Sequence, residues 1–275
     1  MNGLQRLSQT FRALRRHRRA ALIPFVMAGD PSLAATGELI RVLAEAGADL
    51  IEIGIPFSDP LADGSTIQRA ATAALAHGTT PRAVLKLIER VAPRVHVPLA
   101  ILSYWNPMLQ YDHGRVMAMD ARAFLRAASA AGVCGIITPD LPLEEALPFR
   151  LAARPCGLAS ILLAAPTSPP ARLRHIVRAS EGFVYYVSVT GTTGARHQLA
   201  PEWRQHVRQL KLITTKPICV GFGISTPRQA AEVGRVADGV IVGSALIRAL
   251  APYARQRRVL LRRAETFMRA FREVL

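Results

Sequence analysis

Cysteine is nearly absent. Cys134, Cys156 and Cys219 are the only three in 275 residues; they lie far apart among apolar neighbours, so neither a disulfide framework nor a CxxC metal site can be assembled. That usage points to a cytoplasmic protein. Lysine is almost as scarce, with Lys86, Lys211 and Lys216 making up three of 35 cationic residues. A Schiff-base mechanism needs a lysine pointing inward at a strand end, whereas the first two fall in helical segments and Lys216 precedes a strand. The seven histidines (His17, His77, His96, His113, His175, His197 and His206) show no HxH or HExxH spacing, which leaves zinc without a ligand set. No apolar run reaches the ~18 residues of a membrane span. The longest, around Ala20 to Gly29 and Leu158 to Pro166, are strand-sized. The first of these follows a basic start and imitates a secretory signal, but it runs into Asp30-Pro31 rather than a small-residue cleavage site.

What is present describes a folded enzyme-sized chain. Half of the residues are hydrophobic, enough for a sizeable core, and the length suits an α/β barrel occupying one domain. The net charge of +16 raises the question of nucleic acid, which its location answers. Residues 1–19 carry six Arg and no acid, and residues 248–275 carry eight Arg against two Glu, so the two ends hold +12 of the total. Both ends have helical apolar spacing (Leu4, Leu7, Phe11 and Leu14; Leu260, Leu261, Phe267 and Phe271), so the arginines read as solvated faces of amphipathic helices. Without interleaved aromatics they argue against a nucleic-acid groove, and an acidic partner surface is the alternative.

Between the ends, short apolar runs recur: Ala21 to Ala28, Leu50 to Ile55, Leu99 to Leu102, Gly135 to Thr138, Ala159 to Ala165, Phe183 to Val187, Ile218 to Gly221 and Gly239 to Val242. Segments of helical spacing separate them, such as Leu33 to Ala46, Ala83 to Val91, Ala121 to Ala131 and Pro227 to Val236. Near-continuous apolar strands alternating with helices imply parallel pairing with both faces covered. The expectation is a single-domain (β/α)8 TIM barrel over residues 1–275, with an extra basic N-terminal helix in residues 1–19 and a basic C-terminal helix in residues 248–275 packed on the barrel. A doubly wound sheet is the alternative, but it calls for GxGxxG after the first strand, where Ala28-Gly29-Asp30-Pro31 stands.

In a barrel, function gathers where strands end and βα loops begin. That selects Asp30; Glu52 with Ser58, Asp59, Asp63 and Gln68; Tyr104 and Asn106; Asp140; Tyr185 with the Thr190 to Gly194 loop; Gly221 to Ser225; and Gly243-Ser244. Glycines admit an anion close to the backbone, and the Ser244 hydroxyl can bond it, so Gly194, Gly223, Gly243 and Ser244 point to a phosphorylated small substrate. Taken singly, each glycine could equally serve a tight turn. Glu52 interrupts an apolar strand. Burying a carboxylate costs several kcal/mol unless it is paired or its pKa rises, which suits proton transfer or, alternatively, a structural bond across the barrel mouth. Asp63, taken on its own, reads as a solvated cap unless the loop folds over the mouth.

The segment Glu52 to Gly64 (EIGIPFSDPLADG), followed by Thr66-Ile67-Gln68, resembles the signature of the tryptophan synthase α-subunit family. So do Ile23 to Val26 with Ala28 to Pro31, Tyr104 with Asn106-Pro107, Pro139 to Pro142, Ala165 to Thr167, Tyr185 to Ser188, Thr193-Gly194 and Gly221 to Ser225, in the same order. The resemblance covers almost the whole chain. It implies a barrel and a lyase acting within the EC 4.2.1.20 complex, which cleaves indole-3-glycerol phosphate reversibly to indole and glyceraldehyde 3-phosphate. It further implies Glu52 as general acid/base and Asp63 as acceptor for the indole N–H. Phe25, Leu102 and Tyr185 would stand about the indole, with Thr193, Gly194, Gly223, Gly243 and Ser244 at the phosphate. No cofactor is implied on this chain. Pyridoxal phosphate belongs to a β subunit that receives indole in an α2β2 heterotetramer, contacted through Pro56 to Pro60 and Asn106-Pro107. Four positions depart from the family pattern: Ser65 for a common Pro, Met27 for Thr, Thr192 for Val and Leu143 for Pro. None removes a proton-transfer or phosphate group. They bear instead on loop closure and on coupling to the partner.

Overall fold

A computed structural model describes residues 1–112, 120–187, 202–221 and 223–275. The chain begins with α1 (Gly3–Arg16), β1 (Ala21–Met27), α2 (Leu33–Glu45), β2 (Ile51–Gly54), α3 (Ser65–Ala76), α4 (Pro81–Val91), β3 (Leu99–Leu102) and α5 (Trp105–Leu109). It continues through α6 (Arg122–Ala130), β4 (Gly135–Ile137), α7 (Ala146–Ala153), β5 (Ala159–Ile161), β6 (Leu163–Ala164), α8 (Pro170–Ala179) and β7 (Val184–Val187). It ends with α9 (Trp203–Ile213), β8 (Ile218–Gly221), α10 (Pro227–Gly234), β9 (Gly239–Val242), α11 (Ser244–Leu250) and α12 (Arg257–Arg272).

All pairings are parallel, in the order β5-β4-β3-β2-β1-β9-β8-β7-β6. The two outermost members are halves of one apolar run, so the sheet curls round into a barrel. That run divides at Leu162 because its N–H donates to the Ser180 hydroxyl at 3.0 Å instead of to a neighbouring strand. The Ser180 hydroxyl in turn donates to the Phe183 carbonyl at 2.6 Å.

Strand periodicity sorts the side chains into two layers. Leu22, Val26, Ile51, Ile53, Ile101 and Val240 face the helices, whereas Ile23, Phe25, Leu50, Leu102, Tyr185 and Ile241 fill the barrel interior. Glu52, between Ile51 and Ile53, therefore has inward parity. Local signals fix several helix starts: Asn2 with Gln5 and Thr226 with Gln229 form reciprocal capping boxes, and Thr80 caps a helix that opens with Pro81.

The terminal helices play different parts. Helix α1 puts Leu7, Phe11 and Leu14 into the interior cluster, with Phe11 against Phe183 at 5.6 Å between ring centroids, and so closes the strand N-terminal end. The C-terminal helix starts at Arg257 rather than at residue 248. Residues 248–250 belong to α11, and a short 3-10 turn containing Pro252 separates the two, because proline cannot continue an i to i−4 ladder. Helix α12 packs on α2 and α11, and the Arg272 guanidinium holds Asp49 at 2.7 Å beside the Leu22 N–H. No described helix is long and apolar enough to cross a membrane.

Candidate functional site

At the strand C-terminal ends the barrel opens into a cavity. Its walls are Phe25, Glu52, Asp63, Leu102, Tyr185, Gly223, Gly243 and Ser244, joined by Ile67, Ile224 and Ile241. Eight of the ten residues to which the family resemblance gives roles in catalysis or substrate binding thus share one cavity. The other two, Thr193 and Gly194, lie outside the described residues, as does Thr192.

Glu52 projects from the middle of β2, is 1% exposed, and neither carboxyl oxygen has a hydrogen-bond partner among the described residues. Burial, and then the neighbouring Asp63 charge, push its pKa up to about 8. A carboxyl lodged in this way is a neutral acid at neutral pH, able to give a proton and take one back. Asp63 is also buried, at 5% exposure, so its loop does fold inward. The loop is held at two points: the Gln68 amide donates to the Asp63 carbonyl at 2.9 Å, and the Tyr104 hydroxyl accepts from the Ala62 N–H at 3.0 Å. Tyr104 also hydrogen-bonds the Asp63 carboxylate, which lowers the pKa of Asp63 against a larger upward push from burial, leaving it at about 6. The two acids are therefore poised apart, the first holding its proton where the second has lost one.

Glycine makes room at two places. A Cβ at Gly221 would come within 2.6 Å of the Tyr185 ring, so the ring lies across the end of β8 only because that side chain is missing. Gly223 turns the backbone at φ +80°, a conformation that disfavours side chains. The opposite wall is apolar, made by Phe25, Leu102 and the isoleucines. An apolar slot, a pair of carboxyls and a glycine- and serine-lined corner thus meet in one space.

Other candidates lie elsewhere. Asp30 sits beside His77 and lines a separate apolar cavity with Met27 and Leu246. Asp140 accepts the Trp105 N–H through both oxygens, at 2.9 and 3.1 Å, a structural task at the start of α5. Ser58 and Asp59 bond to each other in the exposed part of the loop. Lys216 donates to the carbonyls of Val177, Arg178 and Ser180, which accounts for its ammonium away from the cavity. Asn106 lines an open groove with Pro56, Phe57, Pro107 and Tyr111. Among the described residues no group of three or more His, Cys, Asp or Glu side chains is gathered as a metal cluster would require. Sequence reasoning listed Tyr104 as a strand-end residue without a task, and it overlooked Ile241, whose inward parity within Gly239 to Val242 was the available signal.

A family model described as "Tryptophan synthase alpha chain" matches residues 11–275. The chain is 50% identical over 255 residues to a tryptophan synthase alpha chain of Gloeobacter violaceus, covering 92% of this chain and 90% of the relative. It is 46% identical over 272 residues to that of Geobacter sulfurreducens, covering 99% of each. Among solved structures it resembles Mycobacterium tuberculosis tryptophan synthase, with a TM-score of 0.87 and 38% identity over 98% of this chain and 97% of the other. Tryptophan synthase subunit alpha of Legionella pneumophila gives a TM-score of 0.87 at 34% identity, over 100% of this chain and 98% of the other.

Proposed function

The chain belongs to the tryptophan synthase alpha chain family, the lyase that cleaves indole-3-glycerol phosphate, and on that premise we propose that Glu52 and Asp63 carry the chemistry here. Neutral Glu52 gives its proton to C3 of the indole ring. The ring nitrogen becomes positive, and the Asp63 carboxylate stabilises it by accepting the N–H hydrogen bond. Glu52, now a carboxylate, takes the proton from the side-chain hydroxyl. The C–C bond breaks, its electron pair returns to the ring, and an aldehyde forms on the departing glyceraldehyde 3-phosphate. Glu52 ends protonated, as it began. The indole is its own electron sink, so no lysine is called for, in keeping with Lys216 being engaged by three carbonyls.

Phe25, Leu102 and Tyr185 enclose the indole, and Gly223, Gly243 and Ser244, with Thr193 and Gly194, receive the phosphate. One observation supports this above the rest: a buried carboxyl with no hydrogen-bond partner among the described residues lines the same cavity as the glycine and serine corner. Glu52→Gln removes the exchangeable proton and lowers indole release from indole-3-glycerol phosphate at least about 100-fold. Near-normal indole release from that variant would overturn the assignment.

The indole passes to a β subunit, which holds the pyridoxal phosphate, while this chain carries no cofactor of its own. The reading is an α2β2 assembly working in the cytoplasm. The groove lined by Pro56, Phe57, Asn106 and Pro107 adjoins the Asp63 loop and suits the contact. A free-standing lyase is the competing reading; stimulation of indole release by added β chain, with co-purification of the two, decides between them.

A further inference from the structure

Helices α3 and α11 lie side by side, with Ile67 of one and Ser244 of the other lining the cavity, and each sends one arginine to the same point. Arg69 and Arg248 both donate to the Thr66 hydroxyl at 3.4 Å, through Nη2 and Nη1 respectively. Two guanidinium nitrogens within reach of one oxygen are no more than about 7 Å apart, where like charges repel. Neither arginine has an acid within ion-pair distance among the described residues, and residues 188–201 contain no Asp or Glu to supply one. Most other arginines with a close partner have a carboxylate, as Arg172 has Glu144, Arg204 has Glu232 and Arg257 has Glu38. Converging like charges held by a shared neutral hydroxyl, at long distances, form a site that an anion would complete.

The position identifies the anion. Helical side chains lean toward the helix N-terminus. For Arg248 that is the Ser244 end of α11, and for Arg69 it is the Gly64 end of α3, adjoining Asp63. Ser244, Asp63 and Ile67 all line the cavity, while both arginines are exposed. A phosphate dianion entering this cavity comes into the field of the Asp63 carboxylate, which repels it, and a cationic counter-field offsets that repulsion.

We propose that Arg69 and Arg248 form a cationic rim that draws the phosphate end of the substrate into the cavity and slows its escape. The inference rests on the lyase reading above, and it adds a pair of substrate-guiding residues outside the glycine and serine corner. Electrostatic guidance of this kind changes association by ten-fold or more and fades as salt rises.

The test is the Arg69→Gln, Arg248→Gln double variant. At low ionic strength its kcat/KM for indole-3-glycerol phosphate falls about tenfold with kcat nearly unchanged, and its salt dependence flattens. In the reverse direction KM rises for glyceraldehyde 3-phosphate but not for uncharged indole. The Arg69→Lys, Arg248→Lys pair retains most of the wild-type behaviour, which separates loss of charge from loss of fold. Glycerol 3-phosphate, titrated calorimetrically, reports the rim without turnover and binds about tenfold more weakly to the glutamine pair. A wild-type chain that binds this probe through the arginines yet releases no indole sinks the lyase reading and leaves the rim standing. An active wild type whose glutamine pair keeps the same salt slope and the same probe affinity overturns the rim.

Discussion

Glu52 and Asp63 line one cavity, yet burial sets them to lose protons at about 8 and about 6. Cleavage needs the first protonated and the second ionised, so kcat/KM should trace a bell, rising through about pH 6 and falling through about pH 8, the two limbs belonging to the coupled pair. A rate still climbing above pH 9 would contradict the roles given to them. The same burial makes Glu52 a burden on folding. Its pKa rises from 4.5 in the free side chain to about 8 when buried, so the folded protein keeps a proton that the unfolded chain releases. The stability linked to that proton is complete below about pH 4.5, declines as the pH climbs, and is lost above about pH 8. Gln has no proton to lose. Glu52→Gln should therefore match the wild type near pH 4.5 and exceed it by on the order of 3 kcal/mol at pH 7, read from urea midpoints. The inward parity of Glu52 was legible from its apolar flanks. The burial of Asp63 was not, because an acid among Pro, Gly and Asp looks solvated until Tyr104 from the next strand and Gln68 from the next helix secure its loop.

At the scale of elements, the eight apolar runs became strands because each is strand-length, apolar at nearly every position and bounded by polar or glycine-rich turns. The division of the fifth run at Leu162 depends on Ser180, a partner 18 residues away that no local pattern announces. The start of α12 was misjudged for the opposite reason: the basic amphipathic pattern continues across residues 248–257, and only Pro252 breaks it. The Asp63 loop offers a test of element-level reasoning. Ser65 opens α3 behind Gly64, which has extended dihedrals of φ −80° and ψ 164° and so tolerates a following proline. The Ser65 N–H makes no hydrogen bond among the described residues, and proline at the first helical position gives up nothing. Ser65→Pro should therefore raise stability by about 0.4–1 kcal/mol and make the loop beside Asp63 more resistant to proteolysis. A drop in melting temperature would mean that the loop needs the freedom serine allows.

The molecule as a whole stands on a column of rings, Phe11 on Phe183 at 5.6 Å and Phe183 beside Tyr185 at 6.4 Å between centroids, running from the N-terminal helix up to the reacting space. Phe11→Ala should cost about 3–5 kcal/mol in denaturant unfolding, the usual loss for a large aromatic removed from a packed interior. A loss under about 1 kcal/mol, the scale of a surface change, would show that α1 is merely laid against the barrel. The basicity of the ends, prominent in the composition, is carried by the outer faces of α1 and α12, while their apolar faces are buried. With Leu7, Phe11 and Leu14 sealing the floor, the cylinder is a cup and not a pipe. On the proposed chemistry, a neutral ring released inside it would find the strand N-terminal end closed by these side chains, and a protein that catches it would have to stand at the other end.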